Sequence, residues 1–191
     1  MDKTGKLIVI SGPSGVGKST VVKEVLARTG AEFSVSATTR QPRAGEADGR
    51  DYRFVDRGRF EKMIADGDLL EWAEVFGNFY GTPAKPVLDA VAAGKKIILD
   101  IDVQGGLQVA AKMPDATFVL LLPPSDEELA SRLAGRKSED AASLRRRLAK
   151  AKEEISAARQ SGVYNHYVVN DDLPAAVGKV VDIVNQERSK R

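Results

Sequence analysis

Apolar residues along this chain follow two habits. Unbroken runs such as Leu7-Ile8-Val9-Ile10, Lys96-Ile97-Ile98-Leu99-Asp100-Ile101, Thr117-Phe118-Val119-Leu120-Leu121-Leu122 and His166-Tyr167-Val168-Val169 predict short strands, the first three of the type buried on both faces. Between them apolar positions recur three or four apart and predict amphipathic helices. Val21, Val22, Val25 and Leu26 form one such stripe, and Val87, Leu88 and Val91 another, stopped at Gly94. A helix over Gln104–Lys112, a longer one carrying Leu144, Leu148, Ala151 and Ile155, and a C-terminal one carrying Val177, Val180, Val181 and Val184 complete the set. Gly30 is placed to cap the first helix, and Ser125 with Glu128 makes a capping box for a helix that Gly135 interrupts. Strands alternating with helices predict right-handed crossovers and an α/β fold whose parallel sheet is covered by helices on both faces.

From Ala37 to Thr82 the pattern changes. Phe33-Ser34-Val35-Ser36 predicts a short second strand just before it. A turn-rich basic stretch follows, with Arg40, Pro42, Arg43, Gly45, Asp48, Gly49 and Arg50. Tyr52–Val55 predicts a strand, and Phe60, Met63 and Ile64 a short helix ending near Gly67. Leu69–Phe76 predicts another strand, turned by Gly77-Asn78 into Phe79-Tyr80. This is the signature of a small antiparallel insertion in an α/β chain.

With 191 residues, 42% hydrophobic and 29% charged, the chain suits one globular domain able to bury a core. A net charge of +2 is weak evidence for any polyanionic partner, so no nucleic acid is expected and the basic residues matter by position. No cysteine is present, which removes disulfides, thiolate metal sites and a cysteine nucleophile. No apolar run approaches membrane-spanning length, and Met1–Lys6 leads into the first strand without signal-peptide features. A cytoplasmic protein with no membrane association is expected. Nothing selects between a monomer and a homo-oligomer.

The chemistry centres on Gly12-Pro13-Ser14-Gly15-Val16-Gly17-Lys18-Ser19, followed by Thr20. It fits the phosphate-binding pattern G-x-x-x-x-G-K-[ST] between a buried strand and a helix, a P-loop NTPase-type arrangement. The glycines let successive N–H groups point inward at the positive end of the helix, forming a cradle for polyphosphate. Lys18 is expected to reach the β- and γ-phosphates of ATP and Ser19 to ligate Mg²⁺. Asp100 ends a buried strand on the edge where such sheets bind ligands, and is expected to assist Ser19 with Mg²⁺. Asp102 serves equally well as the cap of the next helix. Arginines cluster at Arg40 and Arg43 and again at Arg132, Arg136 and Arg145–Arg147, which suits two phosphate-bearing substrates; Arg145 and Arg146 read as a solvated helix face. The lone histidine, His166, falls in a strand and reads as structural, so no base is evident. A kinase acting on a phosphate needs none, because that acceptor is already ionised.

The motifs I-S-G-P-S-G-V-G-K-S-T, S-A-T-T-R-Q-P-R-A-G-E-x-D-G-R-D-Y, E-W-A-E-V-F-G-N-F-Y-G-T, I-L-D-I-D-V-Q-G and V-V-N-D-D-L together resemble the guanylate kinases. The resemblance implies MgATP + GMP ⇌ ADP + GDP, with dGMP as a further acceptor, in purine metabolism. It implies a core of residues 1–36, 83–124 and 159–191, a GMP-binding insertion at 37–82 and a lid at 125–158. It assigns the GMP phosphate to Arg40, Arg43, Tyr52 and Tyr80, and guanine to Ser36, Glu71, Thr82 and Asp100. Arg132, Arg136 and Arg147 would neutralise the transferred phosphoryl together with Lys18 and Arg40, and Asn170 would contact adenine. Departures are small: Ala37 and Thr82 stand where the family often has serine, and Lys137 where glycine is frequent. Two other readings remain, a kinase of another phosphorylated sugar or nucleotide and a non-catalytic scaffold module. The intact Lys18 and Ser19 argue against the second.

Overall fold

The computed structural model describes residues 5–134 and 141–186. β1 (Lys6–Ser11) is buried along its whole length and leads through the glycine-rich loop into α1 (Lys18–Thr29), which Gly30 ends in a left-handed conformation, as expected. Then come β2 (Glu32–Phe33), β3 (Ala37–Thr38), β4 (Arg53–Phe54), α2 (Arg57–Ala65), β5 (Leu69–Val75) and β6 (Asn78–Pro83). The α/β alternation resumes with α3 (Ala84–Ala92), β7 (Lys96–Asp100), α4 (Val103–Lys112), β8 (Thr117–Leu122), α5 (Asp126–Ala134), α6 (Ala141–Gln160), β9 (His166–Val169) and α7 (Leu173–Asn185).

The main sheet runs β2–β7–β1–β8–β9, and its paired strands are all parallel. Alternation along β1 feeds two cores. Leu7 and Val9 pack with Leu99, Phe118 and Leu120 on the side of α3 and α4, whereas Ile8 and Ile10 pack with Ile98, Val119 and Leu121 on the side of α1 and α7. A strand buried on both faces therefore reads as an unbroken apolar run, here Leu7–Ile10. The register sets Ile10 opposite Asp100, so the strand that delivers the glycine-rich loop and the strand that delivers the carboxylate end side by side.

The second sheet runs β4–β3–β6–β5, with its own core around Phe60, Leu69 and Phe79. Its β3–β6 and β5–β6 pairs are antiparallel, but β3–β4 is parallel. The expected strand at 33–36 is displaced. Ser34 N–H still bonds the Ile98 carbonyl of the main sheet at 3.0 Å, and three residues later Ala37 pairs in the second sheet. The chain changes sheets inside the stretch that reads as one strand.

The hairpin also turns one residue earlier than expected. Val75 pairs with Asn78, leaving Phe76 and Gly77 as the turn residues with φ of 50° and 76°. A two-residue turn matching strand twist requires positive φ at both positions, which Gly77 supplies freely and Phe76 adopts with its ring in solvent. The capping box of α5 is half made: Ser125 Oγ accepts from Glu128 N–H at 3.1 Å, while the Glu128 carboxylate pairs with Arg132. Gly135, expected to separate α5 from α6, lies outside the described residues. The two helices pack through Leu129, Leu133 and Ala151, with Leu144 and Leu148 against them.

Candidate active site

Gly17 ends the glycine-rich loop with φ of 90° and opens α1. A Cβ there would lie 2.6 Å from Asn170 Nδ2, so glycine is required by both conformation and space. Gly15, with φ of 87°, lies against Leu133 of α5 in the same way. Pro13 accepts from Val16 N–H at 3.2 Å and tightens the curl, while Gly12 lies against the Leu121 carbonyl. Ser14 and Thr20 are exposed on either side of the loop. From below, the buried Asn170 donates its amide to the Val16 carbonyl at 2.8 Å. The side chain expected at adenine is thus a strut under the loop.

The ammonium of Lys18 is held by Asp100 Oδ1, and Ser19 Oγ donates to Asp100 Oδ2 at 3.1 Å. One carboxylate therefore binds the two loop residues expected to meet phosphate and cation. An arginine of α6 reaches the loop itself, and one of α5 reaches the residue that supports it. Arg147 on α6 donates to Ser14 Oγ at 2.9 Å, and Arg132 on α5 donates to the Asn170 carbonyl at 2.9 Å. Arg136 lies outside the described residues. Arg145 and Arg146 are exposed, as a solvated face requires.

In the insertion, Arg40 pairs with Glu46 at 2.9 Å and faces the Tyr52 ring with its guanidinium carbon 5.4 Å from the centroid. The charge-assisted bond to Glu46 raises its pKa further. Glu46 also accepts from Arg43 N–H at 2.8 Å, so one carboxylate ties both arginine positions of the loop. It was not among the expected site residues, and an acid three residues beyond Arg43 in a basic turn was the signal for it. The Arg43 side chain is exposed, and Ser36 is half-buried with its carbonyl spent on Arg53 N–H. Tyr52 and Tyr80 meet edge to face with centroids 6.0 Å apart. Burial raises the Tyr52 phenol pKa, with Tyr80 and Asp100 adding to the rise against Arg40. Asp100 thus acts on the insertion as well as on the glycine-rich loop.

Glu71 is buried in the second sheet, 6% exposed. Thr82, fully buried, donates its hydroxyl to Glu71 Oε1 at 2.6 Å. Burial pushes the Glu71 carboxyl up to about 7, with nearby Asp102 adding to the rise and the Thr82 bond and Lys112 opposing it. Asp102 itself caps α4, accepting from Gly105 N–H at 2.7 Å, which settles its open reading in favour of the cap. A second unanticipated acid is Glu154 on α6, seven residues beyond Arg147. Burial raises its pKa, and Lys150, Asp102 and Lys18 also act on it. His166 opens β9, four residues before Asn170, its pKa lowered by burial and by Lys6. Among the described residues no three His, Cys, Asp or Glu side chains cluster as a metal cage, and no helix is long and apolar enough to cross a membrane.

Comparison with known proteins fits this arrangement. The family model for guanylate kinase matches residues 4–187. The chain belongs to the guanylate kinase family. A guanylate kinase of Gloeobacter violaceus is 51% identical over 183 residues, covering 95% of this chain and 88% of that protein. One from Lactiplantibacillus plantarum is 46% identical over 190 residues, covering 98% and 91%. The crystal structure of guanylate kinase from Anaplasma phagocytophilum superposes with a TM-score of 0.75 at 34% identity, covering 98% of this chain and 88% of that one. The guanylate kinase fold accounts for the parallel sheet, its flanking helices and the second sheet. Membership makes this chain an enzyme, a nucleoside monophosphate kinase, and supports ATP-dependent phosphorylation of GMP.

Proposed function

We propose that this chain transfers the γ-phosphoryl of MgATP in line to the phosphate of GMP or dGMP, as a cytoplasmic step of purine nucleotide metabolism. The observation that carries the guanine assignment is the buried Glu71 carboxylate, bonded to Thr82 and facing the amino end of α4, the helix that follows Asp100, to which Lys18 and Ser19 are bonded. The functional division follows the chain: a core (1–36, 83–124, 159–191), a GMP-binding insertion (37–82) and a lid (125–158).

Arg40, Arg43, Tyr52 and Tyr80 hold the GMP phosphate, and Ser36, Glu71, Thr82 and Asp100 hold guanine. Neither set needs the ribose 2′-hydroxyl, so dGMP serves as well. The loop Gly12–Thr20 cradles the ATP phosphates, with Lys18 passing from Asp100 to phosphate oxygen. Asn170 supports the adenine end through the loop it props. Ser19 and Asp100 would supply a hydroxyl and a carboxylate to Mg²⁺, a sparse hard-oxygen set of the kind Mg²⁺ uses when phosphates complete its shell. When bound, the ion screens the charge of the β- and γ-phosphates. The acceptor phosphate is dianionic at neutral pH, so no side chain removes a proton. Lys18, Arg40, Arg132, Arg136 and Arg147 act by position and charge.

A coupled assay offering ATP with GMP, dGMP, AMP, CMP or UMP tests the reading. GMP and dGMP are expected to turn over, and AMP to show kcat/KM lower by about 10⁴-fold. Equal use of AMP overturns the guanine assignment.

GMP binding is also expected to depend on pH. With its pKa raised to about 7, the free Glu71 is half protonated at neutral pH. Guanine N1–H and N2–H₂ call for the ionised form, so binding lowers that pKa and expels the proton. Affinity therefore holds above the raised pKa and falls by about tenfold between pH 8 and pH 6. Calorimetry at pH 7 in two buffers of different ionisation enthalpy is expected to find about half a proton released per GMP. Release of none removes Glu71 from contact with guanine.

A further inference from the structure

β5 is an edge strand of the second sheet, and its outer N–H and C=O groups need partners. α4 supplies partners for Trp72 and for the Leu69 carbonyl from a single face. Gly105, Gln108 and Lys112, spaced three and four apart, run along the strand. Gln108 makes a reciprocal pair with one residue of β5: Trp72 N–H donates to its Oε1 at 3.1 Å, and its Nε2 donates to the Trp72 carbonyl at 3.0 Å. One turn further, Lys112 Nζ donates to the Leu69 carbonyl at 2.6 Å. A glutamine amide carries one acceptor and a donor in the spacing of a peptide group, so Gln108 stands in for a neighbouring strand.

The location of these bonds gives them consequence. The register of β5 against β6 is irregular between Leu69 and Glu71, and such a bulge re-aims the side chain that follows it. Lys112 holds the strand on one side of the irregularity and Gln108 on the other. Glu71 lies between, directed at the amino end of α4, where a Cβ on Gly105 would stand 3.0 Å from Glu71 Oε2. The helix thus approaches the carboxylate closely only because residue 105 is glycine. The arginine loop at 40–54 is tied mainly to itself, through Arg40–Glu46 and Arg50–Asp51, so the two ends of the acceptor site are held by different means.

We infer that Gln108 is a positioning residue for the acceptor base: by clamping Trp72 it fixes the bulge that presents the Glu71 carboxylate, and so governs GMP recognition without touching the nucleotide. The inference rests on the proposed role of Glu71 at guanine. It predicts a loss confined to the acceptor. Gln108→Met keeps length and helix propensity and removes both bonds. Its GMP KM is expected to rise about tenfold, the combined worth of two such bonds, with ATP KM and kcat changed by less than about twofold.

A second readout separates positioning from general stability. Around Glu71 the Thr82 hydroxyl and Lys112 favour the ionised form, and burial and Asp102 oppose it. A loosened β5 admits water, so the pH midpoint of the GMP KM profile is expected to move below 7 in the variant, toward the ordinary carboxylate range. Should Gln108→Met not fold, Gln108→Glu carries the same test, because it keeps the acceptor for Trp72 N–H but sets a carboxylate against the Trp72 carbonyl. Unsubstituted protein that phosphorylates no GMP overturns the guanine reading itself. Unsubstituted protein that does so, alongside a folded variant with the same GMP KM and the same pH midpoint, overturns the role of Gln108 alone, whatever its melting temperature.

Discussion

Lys18→Met is expected to lower kcat for GMP phosphorylation by about 10³–10⁵-fold, the scale on which single cationic groups act in phosphoryl transfer. Lys18 stands at the first turn of α1 with its ammonium on Asp100, beside the Ser19 hydroxyl. Its charge is therefore held at the edge of the phosphate cradle before substrate arrives, and it passes from Asp100 to phosphate oxygen on ATP binding, ahead of the transfer itself. Methionine keeps the length of the stem and removes the charge, so the loss reports electrostatics and not packing. Folding is expected to survive, because Lys18 belongs to none of the apolar core clusters and Ser19 still bonds Asp100. Turnover with a coupled assay and melting by circular dichroism check both halves. A folded Lys18→Met protein turning over within about tenfold of the unsubstituted one removes the loop lysine from the mechanism.

That the sequence discloses this loop so fully has a physical reason. A strand, a phosphate cradle and a helix are contiguous, so local rules suffice to read them. The strands Thr117–Leu122 and His166–Val169 were readable to the residue because their apolar runs end at turn formers or polar residues. The stretch 33–38 was not, because leaving one sheet for another is decided by the distant partners Ile98 and Gly81. The hairpin tip misled because Gly-Asn fits a two-residue turn, whereas the pairing of Val75 with Asn78 puts Phe76 into it. Asn170 occupied a motif that suggested a ligand contact, and only the tertiary structure shows its amide bonded beneath Val16. Gln108 had no local signal at all. A polar residue on a helix reads as solvated, and its pairing with a strand 36 positions away exists only in three dimensions.

Glu71→Gln is expected to abolish GMP use while leaving ATP binding and the fold in place. Guanine offers N1–H and N2–H₂ as adjacent donors, and an ionised carboxylate accepts from both. In this protein Thr82 already donates to Oε1, and Oε2 lies in the narrow space before Gly105, so the carboxylate has little freedom to turn. Glutamine fits the same volume. Its oxygen keeps the Thr82 bond, which forces the NH₂ toward the guanine donors and sets donor against donor. A buried site mismatched in this way rejects its ligand by about 10⁴–10⁵-fold, and kcat/KM for GMP is expected to fall on that scale with ATP affinity within about twofold. Stability moves the other way. The Glu71 pKa, raised by burial to about 7, means that the favourable protonated form is lost as pH rises through that value, leaving a costly buried charge at pH 8. Glutamine never carries that charge, so the variant is expected to melt at or above the unsubstituted protein at pH 8, and the gap is expected to close at pH 5. Loss of GMP turnover with a raised melting temperature separates recognition from folding, and a Glu71→Gln protein that phosphorylates GMP normally sinks the assignment.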